Sequence, residues 1–233
     1  MKTFAIAACV AVAGAVAGAT RTGDADPAPA EADGPPREAA QEPMTFFVTS
    51  VGPGDGANLG GLEGADAHCE TLAAAQEAGG RGWRAYLSTI NEDGSAAVNA
   101  RDRIGSGPWH NQVGKLIASD IDELHSEAAN LDKEMILTEM GDTVNGRGDN
   151  PNMHDILTGS DLDGTAFTSR GYDNCGNWTG NGEGMARVGH HDRLGGGQHP
   201  TSWNSAHFSR GCGQEDLRGT GGSGLFYCFA AGG

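Results

Sequence analysis

Asp173 to Phe229 reads DNCGNWTGNGEGMARVGHHDRLGGGQHPTSWNSAHFSRGCGQEDLRGTGGSGLFYCF, and this last third of the chain decides the fold. It holds three of the five cysteines (Cys175, Cys212, Cys228), with Trp178, Trp203 and the pair His190-His191 between them. Its one sustained apolar run, Leu225-Phe226-Tyr227-Cys228-Phe229, predicts a terminal strand. The 39 glycines of the chain follow no three-residue period and read as tight turns, not as collagen. A segment so rich in glycine and so poor in apolar runs needs covalent ties, and the cysteines supply them.

Composition sets the outer bounds. A chain of 233 residues suits one domain with extensions. Lys+Arg is 15 against Asp+Glu 31, a formal net charge of −16. That balance argues against nucleic acid and anionic membrane surfaces, which select basic patches. At the N-terminus, Lys2, the small-residue apolar stretch Phe4–Val16 and Ala17-Gly18-Ala19 match a secretory leader, so residues 1–19 are expected to be removed. The stretch is too short and alanine-rich for a membrane span. Ile6-Ala7-Ala8-Cys9 resembles a lipoprotein box, but almost no hydrophobic region precedes it, so anchoring at Cys9 is not expected. Residues 20–43, rich in Pro, Ala and acids, cannot bury enough surface to offset their ordering and read as a disordered tether. Once the leader is gone four cysteines remain, with no Cys-x-x-Cys spacing, so two disulfides are preferred to a zinc site. The expected location is secreted or periplasmic.

The domain spans residues 44–231. Thr45–Ser50 is aromatic and β-branched and predicts a first strand. Leu62 to Ala78 carries Leu62, Ala65, Cys69, Leu72 and Ala73 near one helical face, with Gly79-Gly80 as the stop, which puts Cys69 inward from mid-helix. Trp83–Ser88 predicts a second strand. Between Lys115 and Met135, Ile121, Leu124, Ala128 and Leu131 have helical spacing and suggest a short helix. Gly141 to Thr165 reads as loop, with Asp, Asn and Gly at turn positions.

This order of parts resembles the C-type lectin-like superfamily: a strand, a helix with one cysteine, a strand with Trp83, a long loop, then Cys175, Trp203-Asn204, Cys212 and a final strand with Cys228. Asn174–Thr179 and Gly224–Cys228 look closer to a bacterial secreted branch of it, and collagen endostatin domains are similar in the same region. The resemblance implies an α+β fold of small antiparallel sheets, one or two helices and a long loop region. It also implies the pairing Cys69–Cys228 and Cys175–Cys212. Lectins of this kind that bind sugar through calcium carry Glu-Pro-Asn or Gln-Pro-Asp in the long loop and then Trp-Asn-Asp. Here Ser205 follows Trp203-Asn204, and Asp149-Asn150-Pro151-Asn152 is the nearest triplet, so the calcium-sugar site departs from the pattern.

The residues themselves offer several sites, each with a plainer alternative. Asp161 and Asp163, two apart beside Gly164, have calcium-loop spacing, with Asp149, Asn150 and Asp155 completing a pool of oxygen ligands. The alternative is an acidic turn closed by its own side chains. His190, His191, His199 and His207 offer imidazoles to a transition metal, but adjacent histidines of an extended chain point to opposite sides, and ordinary loop histidines are the preferred reading. Trp178 reads either as a platform for a sugar ring or as packing beside Cys175; Asn177 and Asn204 are the polar ligand-binding candidates beside the two tryptophans. No nucleophile elbow, His-Glu-x-x-His or phosphate-cradling loop occurs, so the expectation is a non-enzymatic module that binds a glycan or surface protein through the long loop. The alternative is a structural or protein-interaction subunit of the cell envelope.

Overall fold

A computed structural model describes residues 41–168 and 174–232. The expected leader, and the tether up to residue 40, lie outside them. The described chain is a mixed α+β fold with small sheets and two disulfides. No helix among the described residues is long and apolar enough to cross a membrane.

The terminal apolar run is the axis of the molecule. It forms β10 (Gly222–Ala230), which pairs antiparallel with β1 (Phe46–Val48) and β2 (Trp83–Ala85) and parallel with β7 (Asp155–Leu157). The sheet then continues through β8 (Arg187–His190) to β9 (His207–Phe208), in the order β1-β10-β7-β8-β9. Because side chains alternate along a strand, β10 serves two cores at once. Phe226, Cys228 and Ala230 face one cluster with Phe47, Trp83, Leu157 and Trp178. Leu225, Tyr227 and Phe229 face another with Phe46, Tyr86, Trp109 and Trp203.

The helix α1 (Gly61–Ala75) covers the first cluster through Ala65, Cys69 and Ala73, one residue per turn on the buried face. These are small side chains, so the helix lies close on the sheet, and Cys69 reaches Cys228 of β10. The second disulfide joins Cys175 to Cys212. Both pairs are those implied by the resemblance.

Two expectations are met only in part. The helical spacing between Lys115 and Met135 yields only one turn, α2 (Ile121–Leu124), capped by the Asp120 carboxylate on the amides of Asp122 and Glu123. Two hairpins stand beside the main sheet, β3 (Thr89–Ile90) with β4 (Ala96–Val98) and β5 (Trp109–His110) with β6 (Leu116–Ala118), and the Asn130 amide returns to the Ile117 carbonyl of β6 at 2.9 Å, which bends the chain away from a continued helix. Likewise the stretch read as loop from Gly141 to Thr165 contains β7, an interior strand of the main sheet. Asp155-Ile156-Leu157 is too short to show a period, and its pairing comes from partners far away in sequence.

Asn174–Trp178 has an unusual backbone. Asn174, Cys175, Asn177 and Trp178 all have positive φ (48°, 57°, 52° and 69°), one turn of the left-handed hand that costs an L-residue roughly 1–2 kcal/mol. Side chains hold it there. The Trp178 indole and the Asn174 amide donate to the Ser88 carbonyl, and Asn177 bonds both backbone groups of Ile90, at 2.9 to 3.2 Å.

Candidate functional site

Strand register gathers a polar cluster on one face of the sheet. Asp155 stands opposite His190 across β7 and β8, and His207 stands opposite Val188 across β8 and β9. Cross-strand partners share a face, as do residues two apart, so Asp155, His190 and His207 project to the same side. His154 enters from the residue before β7. Asp155 Oδ1 lies 3.2 Å from His154 Nε2, 3.4 Å from His190 Nε2 and 3.4 Å from His207 Nε2. His154, Asp155 and His190 are buried, while His207 is partly exposed at the edge. The His154 and His190 rings stack at 4.3 Å, 8° from parallel.

The glycines around this cluster leave room for it. A Cβ at Gly195 (φ +151°) would run into the His190 ring, and one at Gly221 (φ +120°) would stand 3.0 Å from His154 Cδ2. The glycine-rich composition of this region therefore has a packing reason at these two points.

Each imidazole is also held from behind. His190 Nδ1 contacts the Pro200 carbonyl at 2.7 Å, and His207 Nδ1 contacts the Phe208 carbonyl at 2.9 Å. His154 Nδ1 lies 3.3 Å from Asp192 Oδ1. Burial pushes the Asp155 carboxyl up, but the facing imidazoles of His190, His207 and His154 together outweigh it and leave it below the ordinary carboxylate range. Burial likewise acts on Asp192 to raise it, and His154 with the Arg147 and Leu194 amides holds it far lower. The Asp155 carboxylate raises His207, with burial opposing.

Among the described residues, His154, Asp155 and His190 are the one group of three or more metal-ligating side chains whose ligand atoms lie within 4.8 Å of one another. The reading of these histidines as ordinary loop residues is therefore corrected: His190 and His207 join Asp155, while His191, on the other side of the strand, contacts the Asn145 carbonyl at 3.2 Å. His199 lies outside the cluster and lines a pocket instead. His154 was not legible as a member, since only the sheet pairing places it there.

The oxygen ligands expected for calcium are not brought together, and calcium is not indicated. Asp161 Oδ1 accepts from the Leu162 amide at 2.7 Å; Asp163 Oδ1 accepts from the Thr165 amide and hydroxyl at 2.9 and 2.6 Å. Those bonds close an acidic turn. Asp149 pairs with Lys133 and accepts from the Gly146 amide, and Asn150 is exposed beside Pro151. Only Asp155 of the five enters a ligating group.

A second feature lies on the long-loop side. A pocket of about 440 Å³ is bounded by His125, Glu127, Leu162, Arg193 and the segment 198–204. Arg193 and Glu127 form an ion pair at 2.8 Å on its rim. Asn204 borders it, and its amide donates to the Tyr86 hydroxyl at 3.1 Å and the Asp161 carbonyl at 2.9 Å. The Tyr86 hydroxyl in turn meets His125 Nε2 at 2.7 Å, while His125 Nδ1 faces the Ile121 carbonyl at 2.8 Å. Burial lowers the His125 imidazole below its ordinary value, so it is neutral and accepts from Tyr86. Asn204 thus sits at the pocket, but Trp178 and Asn177 do not. Trp178 is 0 % exposed, so it takes the packing role of its two readings. Asn177 spends its amide on Ile90.

No family model matches the chain, and no curated protein matches it.

Proposed function

We propose that the chain is a secreted or periplasmic, non-catalytic C-type lectin-like module that takes a glycan or surface ligand in the pocket beside Asn204. The pocket carries the reading. It lies in the long-loop region, it is concave, and its lining mixes polar side chains with Leu162, Pro200 and Trp203. A hydroxyl-rich ligand needs fixed donors and acceptors, and the Arg193–Glu127 pair, Gln198 and His199 supply both, while Asn204 holds the wall through Tyr86 and Asp161.

Several observations support the lectin-like fold. The helix α1 is tied to the last strand by Cys69–Cys228, the first and last strands pair antiparallel, and Trp203 is a core residue touching Tyr86 and Tyr227. Two buried disulfides fit an oxidising compartment, which supports secretion.

A glycan array probed with the purified chain tests this. Binding to a defined glycan that falls at least tenfold in Arg193→Ala, and persists in the remote surface variant Glu215→Gln, supports the pocket. An empty array, with an envelope protein that co-purifies independently of Arg193, replaces it by the alternative of a structural or protein-interaction subunit without a small ligand.

A further inference from the structure

We propose that His154, Asp155 and His190 hold a zinc-class divalent ion in a tetrahedral site whose fourth position opens toward His207 at the exposed edge. The site does not depend on the ligand reading above. Its first support is the acceptor that stands behind each ring. The Pro200 and Phe208 carbonyls can only accept, so His190 and His207 carry their protons on Nδ1. Asp192 Oδ1 does the same for His154 as a carboxylate. With Nδ1 so engaged, Nε2 is the ring nitrogen left over, and the Nε2 atoms of His154, His190 and His207 lie 3.2 to 3.4 Å from Asp155 Oδ1. Either a proton on Nε2 or a cation among them must hold these nitrogens beside the carboxylate.

The second support is that no hydrogen bond explains the contacts. Both Asp155 oxygens and His190 Nε2 are buried without a hydrogen-bond partner, although Asp155 is 3 % exposed and His190 0 %. An ordinary buried His–Asp pair aims an N–H at a carboxylate oxygen, because an unpaired buried charge is costly. Here three nitrogens surround one oxygen without such alignment, and the other oxygen has none.

The third is the spacing. Ligands about 2.0–2.1 Å from a tetrahedral zinc stand about 3.3–3.4 Å apart along the edges of the tetrahedron. The Oδ1–Nε2 separations to His154 and His190 are 3.2 and 3.4 Å, and the ligand atoms of these three residues all lie within 4.8 Å of one another. Imidazole with one carboxylate suits a borderline transition ion, whereas calcium takes six to eight oxygens at about 2.3–2.6 Å. The acceptors behind the three rings fix them as outer ligands usually do at a metal centre. His207, 23 % exposed, is the side from which an ion enters.

The test is a metal titration of the full purified chain, stripped with chelator and returned to ZnCl₂, CaCl₂ or MgCl₂ at matched ionic strength. Zinc should be retained through gel filtration at one ion per chain. At a hundredfold over its dissociation constant it should raise the unfolding temperature by roughly 5–10 °C, with no matching rise for calcium or magnesium. Cobalt should give the intense visible absorption of a tetrahedral ion. Asp155→Asn and His190→Gln should abolish the zinc-specific rise, and His199→Ala should keep it. Should either site variant fail to fold, the wild-type cobalt spectrum and metal count still decide. Equal shifts with all three salts, no retained zinc, an octahedral cobalt spectrum, or undiminished zinc binding by Asp155→Asn would each overturn the proposal.

Discussion

Replacing Cys69 and Cys228 together by alanine should destabilise the domain more than the same change at Cys175 and Cys212. The first bridge closes a sequence separation of 159 and the second one of 37. The chain-entropy argument assigns these loops roughly 5 and roughly 4 kcal/mol. All four cysteines are buried, at 0 to 1 % exposure, so losing two sulfurs adds a similar term to both variants, about 1–2 kcal/mol. What separates them further is the backbone at Cys175. That residue sits within the left-handed turn, where four non-glycine residues have positive φ at roughly 1–2 kcal/mol each. Cutting Cys175 loose lets part of the turn relax and returns part of that cost. The Cys69 bridge joins a regular helix to a regular strand and has no such reserve. The expected losses are therefore about 5–7 kcal/mol for C69A/C228A and about 2–4 kcal/mol for C175A/C212A, against a typical net stability of about 5–15 kcal/mol. Urea unfolding followed by tryptophan fluorescence reads both, with equal slopes required before the midpoints are compared. Equal losses, or a larger one for C175A/C212A, would refute the combination of loop length and local strain.

Two further changes probe single side chains. Trp178→Ala should cost about 3–5 kcal/mol in urea unfolding, because it empties a fully buried site and leaves the Ser88 carbonyl without its indole donor; near-native stability would return Trp178 to the surface. His125 has a folded-state value below its ordinary 6.5, mainly through burial, so its contribution is complete above about pH 6.5 and is lost as pH falls through the lowered value. Stability measured from pH 7 down to pH 5 should therefore fall less steeply in His125→Gln than in wild type, whatever the variant's absolute stability; an unchanged slope would remove His125 as a contributor.

The parts of this molecule that are legible in the sequence are those with a local period or a covalent pattern. Ala65, Cys69 and Ala73 recur at helical spacing, and α1 follows; the Leu225–Phe229 run is continuous, and β10 follows. Between Lys115 and Met135 the helical spacing is realised only over Ile121–Leu124, because Leu116–Ala118 finds a strand partner and Asn130 returns to it. The polar cluster is illegible for another reason. Its members lie at 154, 155, 190 and 207, and what joins them is the register of β7, β8 and β9. Asp155 counted as an oxygen ligand among acids close in sequence, yet its neighbours in space are imidazoles. The left-handed turn left no trace either, since Asn174-Cys175-Gly176-Asn177-Trp178 has one glycine and no unusual composition beyond it.

The segment between His190 and His207 ties the two features of the site together. Its backbone folds back on the strands that flank it: the His190 amide donates to the Ser202 carbonyl, the Gln198 and His199 amides both reach the Ala206 carbonyl, and the Ala206 amide reaches Val188. Residues 198–204 of this same segment wall the pocket. It is glycine-rich at 195–197, and neither disulfide lies within it, since Cys175 precedes it and Cys212 follows. Its order rests on those backbone bonds, on the Arg193–Glu127 pair and on Trp203 in the core. A divalent ion held by His190 with His154 and Asp155 at the head of the neighbouring strand would add a tie at the start of that segment, in the place the cysteines leave uncovered. On this view the ion acts on the pocket without touching the ligand: removing it loosens the wall and weakens binding while the disulfide-tied core around β10 keeps its packing.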